Sequence, residues 1–167
     1  EEIAGFLRMH GFTDLFCSEK MSELLRPLLP AEFTQVQLMV YDGAKQVELP
    51  QECSPSEAWS IIGSRFDIPF EPWYLDISHR VRHGVARCFS DGRAALVVQH
   101  DINGEALISQ VSVLREFERH GIAGALVRQV SAALPGEVQI VCEEPLCGFY
   151  EKCGYFRKSK KYVAAVR

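Results

Sequence analysis

The sequence lacks any apolar run near the ~20 residues that a membrane-spanning helix requires, so we expect no membrane partner. It also lacks an excess of positive charge, because 18 lysines and arginines stand against 22 aspartates and glutamates, for a formal net charge of −4. Nucleic acids are bound through concentrated positive charge, so we expect no nucleic-acid partner either. Two broad classes of function are thereby excluded before any motif is considered.

The six cysteines lack the spacing of a metal site. No two of them form Cys-x-x-Cys, and no Cys/His cluster matches a zinc ligand set, so we expect no metal. An even cysteine count leaves disulfides open as an alternative. Because a chain of this size can build its own core and no signal peptide is recognisable, we expect reduced thiols in a cytoplasmic protein.

Hydrophobic residues make up 47% of the sequence and charged residues 24%, which is typical of a folded globular domain. The second half is strongly patterned, with Asp91-Gly92 and Asn103-Gly104 turns between apolar runs, a hairpin signal. We predict strands at 85–90, 94–100 and 106–113, a helix at 121–133, a strand at 138–142, a helix at 145–153 and a strand from 156. This order predicts an α+β fold with a central mixed sheet.

The first half has weaker signals. Gly11 is placed to end a helix, and Ser54-Pro55-Ser56-Glu57 is a capping box that opens another. We predict a helix to residue 10, a strand at 12–17, a helix after Ser18, a strand at 36–40, a helix from 55 to about 66 and a helix from 73 to 83.

The stretch from Val111 to Ala125 predicts an anion site. A strand ends near Val113, a charged loop follows, and a helix begins at Gly121 with small residues in its first turn. Helix N-termini leave N–H groups unpaired and carry partial positive charge, so they bind phosphates well. The alternative is a helix that needs small residues only to pack on the sheet.

A second motif, Phe149-Tyr150 followed by Gly154-Tyr155, lies at the end of a short helix after a buried strand. By itself an aromatic pair before a glycine is more often a packing feature than a site. The order and spacing of the two motifs together, however, resemble the GNAT superfamily of N-acetyltransferases. The resemblance covers 73–167 well and the earlier residues poorly, and it implies the GNAT acyl-CoA N-acyltransferase fold.

The resemblance implies transfer of an acetyl group from acetyl-CoA to a primary amine, directly within a ternary complex. Backbone groups of Val111 and Val113 would hold the pantetheine arm like an added strand. The pyrophosphate would lie on the loop and first helical turn, at the residues Glu118, Arg119, His120, Gly121, Ile122, Ala123 and Gly124. The family has Arg or Gln where this chain has Glu118, a repulsive charge that Arg115, Arg119 and His120 would balance.

The resemblance makes Tyr150 the general acid that protonates the departing thiolate. For the base that deprotonates the amine, Glu143 is preferred over His83 and Glu105. The basic run before the first meander strand supplies candidate acceptor-binding residues, namely His79, Arg82 and His83. The acceptor is a small molecule or a peptide, and a homodimer is left open.

We divide the chain into an N-terminal segment, 1–70, and an acetyltransferase domain, 71–167. The spacing of Phe6-Leu7 and Gly11-Phe12 repeats that of Phe149-Tyr150 and Gly154-Tyr155. We therefore interpret this segment as the tail of a degenerate acetyltransferase-like half. The alternative is that the two motifs are unrelated helix ends. The alternative function is a catalytically inactive CoA-binding or interaction module.

Overall fold

A computed structural model describes residues 2–12, 14–46, 48–100 and 103–166 of the chain. In chain order the elements are α1 (Glu2–His10), β1 (Asp14–Ser18), α2 (Glu19–Leu25), β2 (Glu32–Tyr41), α3 (Pro55–Ile62), α4 (Phe70–Arg82), β3 (Ala86–Ser90), β4 (Ala94–His100), β5 (Ala106–Val113), α5 (Ile122–Ala133), β6 (Val138–Glu143), α6 (Glu144–Lys152) and β7 (Tyr155–Val166). A 3₁₀ turn, Arg115–Phe117, lies between β5 and α5. The strands follow the hydrogen-bonded order β1-β7-β2-β6-β5-β4-β3, a mixed sheet. The predicted α+β class is confirmed.

The residues divide into two compact units, and the first comprises Glu1–Met39, Val141–Cys147 and Arg157–Arg167. In it β1 pairs antiparallel with β7, with Asp14 opposite Val166 and Ser18 opposite Tyr162. Ser18 caps α2 by accepting a hydrogen bond from the Met21 N–H, as its sequence position predicts.

The second unit comprises Val40–Ile140 and Gly148–Phe156. Strands β3, β4 and β5 form the predicted antiparallel meander, and β6 joins β5 in parallel. In β4, every residue of the run 94–98 is 0% exposed, so the strand is buried on both faces. Helices therefore cover both faces of this part of the sheet.

The core of the second unit is formed by α3, α4 and one face of the meander. Ala58, Ile61 and Ile62 of α3 pack with Trp73 and Ile77 of α4. Strand residues Cys88, Ala95 and Val97 complete the cluster. Helix α5 also packs on β4 and β5, and its buried residues include Leu126, Val127 and Val130.

Two helix boundaries differ from the sequence prediction. Helix α3 ends at Ile62 and not near Phe66, with Gly63 at its C-cap, where a Cβ would stand 2.5 Å from the Trp59 ring. Helix α4 begins at Phe70 and not at Trp73. Pro72 lies in the first turn of this helix, where proline is tolerated because the first N–H groups have no helical acceptor.

Of the helices in the described ranges, none is long and apolar enough to cross a membrane.

Candidate active site

Strand β5 presents backbone groups along one edge. It runs antiparallel to β4 along its whole length, with a register shift opposite Val97 and Val98. Its described pairs with β6 include only Ala106, Leu107 and Ile108. The edge of β5 that faces away from β4 is therefore paired with β6 only at the start of the strand.

The hydrogen-bond pattern fixes which residues use this edge. The Leu114 N–H donates to the Arg93 carbonyl at 2.9 Å, so these two residues form a hydrogen-bonded pair. Bonded and non-bonded pairs alternate along an antiparallel ladder. Val113 and Val111, which stand opposite Ala94 and Leu96, are then the non-bonded positions. Their N–H and C=O groups point away from β4, as an added strand would need.

The loop between β5 and α5 has an unusual backbone. Arg119 has φ of 61°, a rare conformation for a residue other than glycine, and Gly121 has φ of 76°. Left-handed residues near a helix start turn successive N–H groups into a concave surface that suits anions. Gly121 is the N-cap of α5, and a glycine has no side chain to accept from the first-turn N–H groups.

A surface cavity of about 380 Å³ opens beside this helix start. His120, Gly121 and Ile122 form one wall, and the β3–β4 turn contributes Asp91 and Arg93. The remaining lining residues come from α5: Ala125, Leu126 and Gln129. The predicted phosphate loop thus faces a space that a ligand can enter.

Glu118 has a partner that the sequence did not predict. Its Oε1 lies 2.8 Å from Nη1 of Arg65, which follows the end of α3. The sequence interpretation considered Arg115, Arg119 and His120 as the balancing groups. No local pattern could have identified Arg65, because only the tertiary fold brings the end of α3 to this loop.

Gly124 is more buried than the residues that precede it in the first turn of α5. It is buried, and an added Cβ would contact Arg128 Nη1 at 3.4 Å, Cys153 Sγ at 3.5 Å and Phe149 Cε2 at 3.6 Å. The Cys153 thiol lies 3.8 Å from the Gly124 carbonyl oxygen. Gly124 was predicted to bind the cofactor, but its side-chain position faces α6. Ile122 and Ala123 are half-buried in the first turn of α5.

Tyr150 is 7% exposed and belongs to a cluster of aromatic rings. Its ring meets Phe149 edge to face with centroids 4.9 Å apart, and Tyr155 at 5.9 Å. The Tyr155 hydroxyl is bonded to Ser131 Oγ at 2.6 Å. Burial raises the pKa of Tyr155 above its ordinary range.

The candidate bases are exposed. Glu143 is the last residue of β6, and His83 is the C-cap of α4. Glu105 precedes β5, and its Oε2 accepts a hydrogen bond from Gln139 Nε2 at 3.1 Å.

The candidate acceptor residues lie on the exposed side of α4. His79, Arg82 and His83 are all exposed, and the rings of His79 and His83 have centroids 4.4 Å apart. The inward-facing residue is Trp73, whose Nε1 donates to Gln110 Oε1 on β5 at 2.8 Å. This contact was not predicted, because it joins residues that are far apart in the sequence.

All six cysteines are free thiols. Within the described ranges no group of three His, Cys, Asp or Glu side chains is arranged to hold a metal ion.

A family model described as "Acetyltransferase (GNAT) family" matches residues 48–155. The match begins before residue 71 and so includes α3. A comparison with curated proteins found no match.

Solved structures with this fold include a GCN5-related N-acetyltransferase from Sphaerobacter thermophilus, at 18% identity and TM-score 0.62, covering 92% of this chain and 58% of that one. A GNAT-family acetyltransferase from Colwellia psychrerythraea is 12% identical with TM-score 0.60, and the match covers 93% of this chain and 65% of that one. A tandem GNAT protein of the clavulanic acid biosynthesis pathway is 12% identical with TM-score 0.56, and the match covers 99% of this chain and 67% of that one. The chain thus spans less than two thirds of the first two proteins. At these identities the likeness shows the fold, which is the predicted GNAT acyl-CoA N-acyltransferase fold.

Proposed function

The chain belongs to the GNAT acetyltransferase family, and we propose that it transfers an acetyl group from acetyl-CoA to a primary amine. The observation that carries this proposal is the edge of β5 beyond Ile108, where the described residues show no pairing with β6. Val111 and Val113 direct their N–H and C=O groups to that edge, and the strand leads into the concave loop at Arg119 and Gly121. A pantetheine arm and a pyrophosphate require these two surfaces in this order.

In the proposed reaction, the first turn of α5 and the loop residues 118–121 bind the pyrophosphate through backbone N–H groups. Backbone groups of Val111 and Val113 orient the thioester, and an N–H at the end of β5 polarises its carbonyl. A neutral amine attacks this carbon directly, so a C–N bond forms as the C–S bond breaks. No acyl-enzyme is involved.

Two proton transfers complete the proposed acetyl transfer. Tyr150 donates its hydroxyl proton to the departing thiolate, and a base accepts a proton from the amine nitrogen. Glu143 is the proposed base, and a water chain to solvent would serve the same purpose. Arg82 is proposed to attract a carboxylate-bearing acceptor through its charge, and His79 and His83 through their ring N–H groups, since all three side chains are exposed.

The test is a panel of amines that includes amino acids, polyamines and peptide N-termini, with acetyl-CoA and a free-thiol readout. We expect thiol release that depends on one class of amine and product that carries the acetyl group on nitrogen. Saturable acetyl-CoA binding with no transfer to any amine would instead favour the inactive CoA-binding module.

A further inference from the structure

Arg65 stands beside the predicted phosphate loop on a fixed backbone. The N–H of Arg65 donates to the Ile62 carbonyl at 3.0 Å, and that of Phe66 donates to the same carbonyl at 3.1 Å. The turn after α3 is therefore held against the end of that helix. From it the Arg65 side chain reaches Glu118, at the first position of the loop.

Glu118, one member of this pair, occupies the loop position where the family has Arg or Gln. Glu118 alone would place a negative charge near two phosphates. With Arg65 at 2.8 Å the charge is balanced, and the two side chains are equally exposed at 38% each. The contact engages Nη1, and a guanidinium carries five N–H donors in a planar fork that suits phosphate oxygens.

We propose that Arg65 is a phosphate-binding residue of the acetyl-CoA site and that Glu118 is the positioning residue that aims it. This inference rests on the proposed function. Glu118 then contributes to cofactor affinity through Arg65, although its own charge opposes the phosphates. In this chain the cation beside the loop comes from the turn after α3, and the Glu118 carboxylate of the loop holds it there.

The alternative is an ion pair that only fastens the loop to the end of α3. The two accounts differ in the acetyl-CoA affinity expected for the double variant. If Glu118 aims Arg65, Glu118→Gln weakens acetyl-CoA binding in the parent chain. In an Arg65→Gln background the same change removes an uncompensated negative charge, so it strengthens binding. A pair that only fastens the loop is already broken by Glu118→Gln, so adding Arg65→Gln lowers the acetyl-CoA affinity no further. Loss of a phosphate contact instead makes the double variant bind more weakly than Glu118→Gln alone.

The experiment is a calorimetric titration of the parent chain, Arg65→Gln, Arg65→Lys, Glu118→Gln and the double variant with acetyl-CoA at low and high salt. S-acetylpantetheine, which lacks the pyrophosphate, is titrated in parallel. Arg80→Gln is the control, because it breaks another exposed ion pair, with Asp76 on α4. Melting of each variant without ligand checks that it is folded.

We expect Arg65→Gln to weaken acetyl-CoA binding about five- to tenfold at low salt, an effect that high salt reduces. Arg65→Lys retains part of the affinity because it keeps the charge but loses the fork. Arg80→Gln binds like the parent, and S-acetylpantetheine binds all folded variants alike. The effect of Glu118→Gln reverses sign in the double variant.

The inference is overturned if the parent binds acetyl-CoA and Arg65→Gln binds it equally well. It is also overturned if Arg65→Gln weakens S-acetylpantetheine by the same factor, since the pyrophosphate is then not what Arg65 contacts. Failure of the parent chain to bind acetyl-CoA at all would contradict the proposed function itself, a distinguishable result that removes the basis of the inference.

Discussion

The rings of Tyr150 and Tyr155 lie edge to face, with centroids 5.9 Å apart and planes inclined by 69°. Both are buried, and the Tyr155 hydroxyl is bonded to Ser131 Oγ at 2.6 Å. Two tyrosines in one cluster therefore offer a matched comparison. One is the proposed acid, and the other has a structural hydrogen bond.

Tyr150→Phe keeps the packing of the ring and removes only the hydroxyl. If Tyr150 donates the proton to the thiolate, turnover falls about 10²–10⁴-fold while the affinity for acetyl-CoA is unchanged. Tyr155→Phe is the control, because it loses a buried hydrogen bond and about 1 kcal/mol of stability but keeps turnover. Steady-state kinetics and melting of both variants check this. An equal loss of turnover in the two variants would mean that the cluster acts through packing.

Gly121→Ala tests the phosphate site. At φ of 76° the substitution is strained, and the added Cβ meets no protein atom within 4 Å, so it projects into the space that a phosphate would enter. We expect the acetyl-CoA affinity to fall at least about tenfold. Separately, the strained backbone lowers the free energy of unfolding by about 1–2 kcal/mol. Gly84→Ala, with φ of 69° and equally open surroundings, shares only the strain. If calorimetry gives the same acetyl-CoA affinity for both variants, the phosphate site is not at Gly121.

Gly124→Ala has the opposite expectation, because this position faces protein. The nearest atoms lie 3.4–3.6 Å from an added Cβ, which is ordinary contact with side-chain atoms. Glycine within a helix is about 0.5–1 kcal/mol less favourable than alanine. We expect a higher free energy of unfolding and unchanged acetyl-CoA binding, measured by urea denaturation and titration. A less stable variant would contradict this expectation, because it would show that the added methyl group does not fit against Arg128, Cys153 and Phe149.

The folded stability should also depend on Cys88 at alkaline pH. Burial above all, together with the nearby Cys53 and Glu52, raises the pKa of this thiol from 9.0 to about 12. In the unfolded chain the thiol ionises near pH 9, whereas the folded protein holds it protonated. Its contribution is therefore complete below pH 9 and is lost as the pH rises towards 12.

Urea midpoints at pH 7.5, 9 and 10.5 for the parent and Cys88→Ala measure this contribution. Cys88→Ala is less stable at neutral pH because it leaves a cavity, but its stability falls less steeply between pH 9 and 10.5. Parallel curves would mean that Cys88 ionises alike in the two states.

The sequence predicted those elements whose signals are local. The Asp91-Gly92 turn, the small residues from Gly121 and the Ser54 capping box each specify a boundary within a few residues, and all three are present. Boundaries that depend on packing were missed. Helix α3 ends with Gly63 at its C-cap, where a side chain would collide with the Trp59 ring, and α4 begins at Phe70 with Pro72 in its first turn.

The candidate site divides in the same way. The positions of Val111, Val113 and Gly121 follow from consecutive residues, and a motif could identify them. The Arg65–Glu118 pair and the Trp73–Gln110 hydrogen bond join residues far apart in the chain, so no local pattern specifies them. The division at residue 70 and the interpretation of the first segment as a degenerate half stay predictions.

The central claim is that acetyl-CoA lies along the edge of β5 and over the start of α5. Amide-resolved NMR of the ¹⁵N-labelled chain, titrated with acetyl-CoA, tests it residue by residue. The account predicts saturable shifts of the amide signals of Val111, Val113 and residues 119–123, with little change in α1 and α2. The absence of shifts at saturating concentration, or shifts confined to residues outside β5 and α5, would contradict it.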